Sequence, residues 1–205
     1  MLLILDLDET LIHATEQDLG IPFAYQVGKY KVYLRSCLHE FLETCHQHFE
    51  LAIWSSATED YIGEIVQNTL PAHVKFSFIW GRNRCTPIIS PRVDEYGYYN
   101  MDISSYYEYA KKLHKLKRKG YSLDQILMVD DTPAKLVYNY GNAIYIKPFT
   151  GLPTDQELPK LAQYLLTLQG VLDVRAIEKR GWSNNFGSLT IFVAVIGVLW
   201  LPFLI

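Results

Sequence analysis

The chain has 205 residues, of which 49% are hydrophobic and 20% are charged, and its formal net charge is −3. This composition excludes general disorder, and the weak net charge gives no overall attraction to nucleic acid. The cysteines Cys37, Cys45 and Cys85 form neither a zinc-binding pattern nor a disulfide framework, which favours a reducing compartment. Because Met1 leads directly into a strand-like segment, we expect no signal peptide and a cytoplasmic location.

Strand and helix signals alternate along the chain, which predicts an α/β fold with a parallel sheet and helices on both faces. The turn Gly28-Lys29 predicts a hairpin between its flanking strands. The predicted strands are residues 2–6, 23–27, 30–34, 49–54, 75–80, 126–129 and 143–146. The predicted helices are residues 36–48, 58–70, 105–119 and 155–168, with a small inserted hairpin within residues 87–99.

The C-terminal segment differs from the rest in its charge. Residues after Arg180 carry no charge, and residues 189–205 are apolar apart from Thr190. This length is at the short limit for a helix that crosses a bilayer. We therefore expect one globular domain over residues 1–180, followed by a linker over residues 181–188. Residues 189–205 are expected to form a hydrophobic helix that crosses a membrane or docks on the domain.

Reactive side chains follow three of the predicted strands. Asp6 and Asp8 come directly after the first strand, Ser55 and Ser56 after the 49–54 strand, and Asp130-Asp131 after the 126–129 strand. Ligands of open α/β sheets bind at the carboxyl ends of the strands, so these groups are expected to converge. Two carboxylates separated by one residue repel each other unless a cation lies between them, and their oxygens suit Mg²⁺.

Such a set of groups suits phosphoryl transfer through an aspartyl intermediate. One carboxylate attacks phosphorus, and a second protonates the leaving oxygen and later activates water. A hydroxyl and a lysine hold the phosphate oxygens, and a metal neutralises the charge that develops. The segment before the predicted 126–129 strand can provide the lysine that holds the phosphate. Its candidates are Lys111, Lys112 and Lys115.

The segment 6–11, Asp-Leu-Asp-Glu-Thr-Leu, resembles the first motif of the haloacid dehalogenase superfamily. Its Glu before Thr is similar to the branch of small C-terminal-domain phosphatases, which act on phosphoserine and phosphothreonine in proteins. Ser55 after Ile-Trp, the segment 109–113 and the segment 129–133 resemble the later motifs. The resemblance covers residues 2–175 and implies a Rossmann-like fold, a magnesium cofactor and a phosphorylated protein or peptide as substrate.

The resemblance also implies a role for each site residue. Asp6 is the nucleophile and Asp8 the acid and base, while Asp6, Asp131 and the Asp8 carbonyl hold magnesium. Asp130 positions the lysine, which is Lys111 in the best register, with Lys112 and Lys115 as alternatives. The substrate-binding residues are Thr10, Ser55, Ser56, Arg82 and Lys111.

Two other functions remain open at this point. One is a phosphatase for small molecules, which a small insertion between Trp80 and Asn100 disfavours, because an open cleft admits a protein loop. The other is a catalytically idle, membrane-associated binding module of the same fold. The mutually repelling carboxylates argue against an idle site, and the sequence leaves the oligomeric state and the substrate unassigned.

Overall fold

The computed structural model describes residues 1–89 and 107–183. The strands, in chain order, are β1 (Leu2–Leu5), β2 (Ile12–Thr15), β3 (Tyr25–Val27), β4 (Tyr30–Leu34), β5 (Glu50–Trp54), β6 (Phe76–Trp80), β7 (Thr86–Ile89), β8 (Tyr107–Ala110), β9 (Ile126–Asp130) and β10 (Ala143–Tyr145). The α-helices in the same residues are α1 (Leu38–His48), α2 (Glu59–Thr69) and α3 (Glu157–Thr167).

A five-stranded parallel sheet in the order β10-β9-β1-β5-β6 forms the centre of the fold. Its strands are continuous apolar runs because both faces are covered. Successive side chains of a strand point to opposite faces, so Leu3 and Leu5 pack in the cluster with the α-helices. Leu2 and Ile4 pack in the second cluster, which 3₁₀-helical turns at Leu113–Lys119 and Pro133–Leu136 cover. The predicted α/β sheet with helical segments on both faces is confirmed.

Two antiparallel sheets lie outside the central one. Strands β2, β4 and β3 form a three-stranded sheet that includes the predicted hairpin at Gly28. Strands β7 and β8 pair from Thr86 with Ala110 to Ile89 with Tyr107, which gives the small inserted antiparallel pair. Its second strand lies beyond residues 87–99, the bounds predicted for the hairpin.

The predicted helix over residues 105–119 is wrong. Residues 107–110 form β8, and a 3₁₀ helix begins only at Leu113. Tyrosine favours strands, and the pairing of this segment with β7 supplies backbone hydrogen bonds that are absent from any local pattern. The correction matters because the strand delivers Lys111 to the carboxyl ends of the central sheet.

The predicted hydrophobic helix at 189–205 and most of the linker lie outside the described residues. Within residues 1–89 and 107–183, none of the helices combines the length and the apolar composition that a bilayer crossing requires.

Candidate active site

Asp6 is the centre of the site and lies one residue beyond β1. Its side chain is 1% exposed, and its backbone N–H donates to the carbonyl of Val129, which holds it in the plane of the sheet. Its Oδ1 accepts a hydrogen bond from the Leu7 N–H at 2.8 Å. Lys111 Nζ lies 3.0 Å from Oδ1, and Lys135 Nζ donates to Oδ2 at 2.9 Å. Each carboxylate oxygen of Asp6 therefore has an ammonium partner.

These two lysines determine the charge of Asp6. Burial alone raises the pKa of a carboxyl, but the positive charges of Lys111 and Lys135 outweigh burial and hold the pKa of Asp6 below its usual range. The carboxylate stays ionised at neutral pH, which is the state that a nucleophile requires.

Lys111 is fully buried between two carboxylates. Its Nζ donates to Asp130 Oδ2 at 2.6 Å in addition to contacting Asp6. The two alternative lysines lie elsewhere, because Lys112 Nζ is 4.1 Å from the centre of the Tyr138 ring. Lys115 Nζ donates to a backbone carbonyl at 2.7 Å. The geometry therefore brings Lys111, and neither alternative, to the candidate nucleophile.

The acidic pair after β9 completes the cluster. Asp130 is buried, and both burial and the charge of Asp6 raise its pKa. Its Oδ1 accepts the Thr132 N–H at 2.9 Å, and Asp131 Oδ2 accepts the Thr132 hydroxyl at 3.1 Å. Asp131 Oδ1 is buried without a hydrogen-bond partner among the described residues.

Oxygens of Asp6, Asp130 and Asp131 lie within 4.8 Å of one another. Hard oxygen ligands, one of them buried and without a hydrogen bond, fit a magnesium ion that completes its shell with water and substrate oxygens. The Asp8 side chain is not part of this cluster, so any contribution of Asp8 to the metal would come from its carbonyl. Asp130, expected only to position a lysine, lies inside the cluster.

Lys135 was not predicted from the sequence. It lies on the 3₁₀ turn that follows β9, and its Nζ is 3.8 Å from an oxygen of both Asp130 and Asp131. Burial lowers the pKa of an ammonium, but the carboxylates, Asp6 first among them, outweigh it and raise the pKa of Lys135. The spacing of four residues from Asp131, which brings two side chains together on a helical segment, was the available signal.

Asp8 lies on the other side of the loop from Asp6. Its Oδ1 accepts a hydrogen bond from the Tyr61 hydroxyl at 2.6 Å, a contact from α2 that the sequence did not reveal. Burial raises the pKa of Asp8, the Tyr61 hydrogen bond lowers it, and the net effect is a rise. A raised pKa suits a carboxyl that must donate and accept a proton near neutral pH.

Glu9 follows Asp8 with a φ of 55°, in the left-handed region that few non-glycine residues adopt. Burial and the neighbouring carboxylates, Asp8 foremost, raise the pKa of Glu9 to about 7. Its Oε1 lies 3.2 Å from His13 Nδ1. The strained turn directs the chain from β1 back toward β2.

The other predicted substrate-binding residues occupy two different environments. Thr10 is fully buried, and its hydroxyl has no hydrogen-bond partner among the described residues. Ser55 is also buried, and its Oγ accepts the Ala57 N–H at 3.0 Å. Arg82 is exposed, and its Nε donates to the Ser56 carbonyl at 2.8 Å.

Two openings are lined by residues close to Asp6 in the chain or in contact with it, namely Asp8 in one and Lys135 in the other. A cleft of about 350 Å³ lies beside Asp8, between the antiparallel sheet, α2 and Arg82. A second opening of about 240 Å³ is lined by Ser56, Tyr109 and Lys135, and the Arg82 guanidinium lies 5.2 Å from the centre of the Tyr109 ring. Of the predicted site residues, Asp8, Ser56 and Arg82 line these openings, whereas Asp6, Ser55 and Asp130 are buried.

Comparison with known proteins places this geometry in context. The chain is 28% identical over 180 residues to CTD small phosphatase-like protein 2 of Dictyostelium discoideum, covering 84% of this chain and 28% of the relative. It is 26% identical to nuclear envelope morphology protein 1 of Schizosaccharomyces pombe, covering 84% of this chain and 34% of the relative. It is also 26% identical to the mitochondrial import inner membrane translocase subunit TIM50 of Yarrowia lipolytica, covering 86% and 32%. The chain thus spans about a third of the length of these relatives.

Among solved structures, Fcp1, an essential RNA polymerase II CTD phosphatase, superposes with a TM-score of 0.49 at 18% identity, covering 84% of this chain and 50% of that chain. The family described as NLI interacting factor-like phosphatase matches residues 1–175. This match extends from β1 past the end of α3 and includes Asp6, Lys111, Asp130, Asp131 and Lys135. The chain therefore belongs to the NLI interacting factor-like phosphatases, in agreement with the resemblance of its motifs to the small C-terminal-domain phosphatases of the haloacid dehalogenase superfamily.

Proposed function

We propose that the chain hydrolyses phosphoserine or phosphothreonine in proteins, with Asp6 as the nucleophile, Asp8 as the acid and base, and Mg²⁺ as the cofactor. The observation that carries this proposal is the buried, ionised Asp6 between Lys111 and Lys135, with Asp8 two residues away on a separate hydrogen bond. Two carboxyls in such different environments suit two different roles in one reaction.

The reaction takes place in two displacements. In the first, an Asp6 oxygen forms a bond to phosphorus, the bond from phosphorus to the serine or threonine oxygen breaks, and Asp8 gives that oxygen a proton. In the second, Asp8 removes a proton from water, the water oxygen attacks phosphorus, and the Asp6 carboxylate is released with inorganic phosphate. Lys111 and Lys135 carry the positive charge next to the transferred group in both steps.

Magnesium fits the same site. Asp6, Asp131 and the Asp8 carbonyl would hold the ion, with Asp130 inside the same cluster. When bound, the ion neutralises charge on the phosphoryl oxygens and orients them for in-line attack. The protein residues provide the remainder of the positive charge through the two lysines.

The open cleft beside Asp8 supports a phosphorylated protein, rather than a small metabolite, as the substrate. The cleft beside Asp8 opens to solvent. Only residues 90–106 separate β7 from β8, a segment far shorter than a domain of about 50 residues or more. An open site can receive a phosphorylated residue that projects from a protein segment. The family match and relatives with phosphatase names support the same substrate class.

Hydrolysis of three substrate panels tests this proposal. The full chain is assayed with Mg²⁺ on an aryl phosphate, on phosphoserine and phosphothreonine peptides, and on sugar phosphates and nucleotides. We expect metal-dependent hydrolysis with higher kcat/KM on the peptides than on the metabolites, and loss of activity on chelation. A metabolite preferred over every peptide would assign the chain to small-molecule chemistry, and inactivity on all three panels would support a binding module.

Tyr61→Phe is expected to shift the pH profile. The Tyr61 hydroxyl donates to the ionised form of Asp8 and lowers its pKa, so removal of the hydroxyl raises that pKa further. Because Asp8 must be protonated to assist the leaving serine oxygen, the alkaline limb of the kcat/KM profile moves to higher pH. The profile is measured on one phosphoserine peptide, with Tyr30→Phe as the control from the same cleft. An alkaline limb that stays in place or moves to lower pH contradicts this role for Tyr61.

Lys135→Met is expected to tighten Mg²⁺ binding by about tenfold or more. The Lys135 ammonium is bound to Asp6 Oδ2 and lies near Asp131, so it opposes a second cation at the same oxygens. Titration calorimetry of the substrate-free protein with MgCl₂ measures the effect, and Lys112→Met provides a control with the same charge change. Equal or weaker affinity in Lys135→Met would show that the lysine does not compete with the metal.

A further inference from the structure

A second concave surface lies on the far side of the turn Arg82–Arg84 from the cleft beside Asp8. This basic groove has a volume of about 460 Å³, larger than the cleft beside Asp8 and the opening beside Lys135. The described residues that line it include no carboxylate, although the whole chain carries a net charge of −3. Its principal lining residues are Trp80, Arg84, His114, Lys115, Arg118 and Lys119.

Contacts with neighbouring groups hold several of these cations around the groove. The Arg84 guanidinium lies 5.6 Å from the centre of the Trp80 ring, and Lys119 Nζ lies 5.9 Å from the same ring. Lys115 Nζ donates to the Arg84 carbonyl at 2.7 Å and contacts the Cys85 carbonyl at 3.3 Å. This arrangement differs from an ordinary solvent-exposed surface of lysines. It is concave, it includes a tryptophan ring beside two of the cations, and one of its lysines is held by hydrogen bonds to the backbone.

The cations of the groove have no carboxylate partner among the residues that the structure describes. Within the described part of the chain, Arg84, Lys115, Arg118 and Lys119 form no ion pair with a carboxylate within 4.0 Å. Like charges held together repel each other, and an anion that enters the groove relieves the repulsion. A phosphate dianion fits best because arginine binds it with two parallel hydrogen bonds and lysine adds a point charge.

The groove is within reach of a peptide that occupies the catalytic cleft. Arg82 and Arg84 lie on one 3₁₀ turn, in which successive side chains diverge by about 120°. Arg82 lines the cleft beside Asp8, and Arg84 lines the groove. Two Cα steps and two arginine side chains span less than about 20 Å, which about six residues of extended peptide cover.

We propose that the basic groove binds a second phosphoryl group of a multiply phosphorylated protein substrate whose first phosphorylated residue lies at Asp6, with the segment between them passing Arg82 and Arg84. This inference rests on the proposed function and adds a specificity site to it. A flat anionic membrane is the less suitable partner, because a bilayer surface does not enter a recessed groove.

Peptides with one and two phosphates test the inference. In the series, one phosphoserine is fixed and a second is placed two to seven residues to either side. The full chain should hydrolyse the best doubly phosphorylated peptide with kcat/KM about tenfold above that of the single one, as expected for one or two charge-assisted hydrogen bonds. The variant Arg84→Gln/Lys119→Gln should lose this preference and keep its activity on an aryl phosphate. The control Lys75→Gln/Arg175→Gln removes the same charge from other exposed positions and should keep the preference.

A binding experiment separates failure of the inference from failure of the proposed function. Fluorescence anisotropy with Asp6→Asn, alone and combined with the groove variant, measures peptide affinity without turnover, so it remains informative even if the chain hydrolyses nothing. Equal affinity for both peptides, or a preference that survives the groove variant, overturns the inference and leaves hydrolysis intact. Loss of binding to vesicles with 30 mol% phosphatidylserine in the groove variant, with peptide affinity unchanged, would assign the groove to membranes and also overturn it.

Discussion

Asp6→Asn is expected to reduce phosphatase turnover by on the order of 10⁴-fold or more, the size of effect that removal of a nucleophile produces in other enzymes. The amide is nearly isosteric with the carboxylate, so the fold and the contact with the Leu7 N–H can persist. It is a poor nucleophile, however, and forms no phosphoaspartate. Steady-state hydrolysis and the intact mass of acid-quenched protein both report the loss, since wild type should carry one phosphoryl group during turnover.

The control for Asp6→Asn is Asp60→Asn, which removes the same charge from an exposed position in the first turn of α2. Asp60→Asn should retain wild-type turnover, and circular dichroism should show both variants folded. If folded Asp6→Asn keeps more than about a tenth of wild-type activity, another group attacks phosphorus and the aspartyl route is wrong.

The central sheet was predictable because buried parallel strands have a simple sequence pattern. The apolar runs at β1, β5 and β9 are short and end in polar residues, which fixes both the type of element and its carboxyl end. The segment 105–119 was mistaken for a helix because its strand depends on pairing with β7, far away along the chain. Local propensity carries no information on such a partner.

The residues of the site likewise differ in whether nearby sequence is enough to predict them. Asp6, Asp8 and the pair Asp130-Asp131 could be found because each follows a strand whose end was visible. Tyr61 could not be found in this way, because its hydroxyl reaches Asp8 from a helix 53 residues later. Partners of this kind become visible only when the packing of α2 against the loop is known.

Arg35 was likewise absent from the sequence-based set, although it holds the loop after Asp8 in place. It is buried at the end of β4, and its guanidinium donates to both oxygens of Asp155, at 2.8 and 2.9 Å. The same group donates to the carbonyls of Thr10 and Lys147 at 2.9 and 2.8 Å. One side chain therefore joins the loop after β1, the end of β4 and the segment that leads into α3.

Arg35→Met is expected to lower the free energy of unfolding by about 3–5 kcal/mol, the typical cost when one partner of a buried ion pair is removed. Methionine fills similar space but leaves the carbonyls of Thr10 and Lys147 without the Arg35 donor. It leaves Asp155 with the Glu157 N–H but without its cation. Urea unfolding of the full chain measures the change. Arg175→Met, which removes an exposed partner of Asp173, should change stability by less than about 1 kcal/mol.

The effect of Arg35→Met should also depend on pH. Burial raises the pKa of Asp155, but the hydrogen bonds from Arg35 outweigh it and hold the pKa below its usual value. A carboxyl with a lowered pKa stabilises the fold at pH above its unfolded value, near 3.9, and loses that contribution as the pH falls through its folded value. The gap in unfolding free energy between wild type and Arg35→Met should therefore be widest near neutral pH and narrow below about pH 4. A gap that is constant from pH 7 to pH 3 would mean that the ion pair with Asp155 contributes nothing, and that the carbonyl contacts of Arg35 alone stabilise the loop.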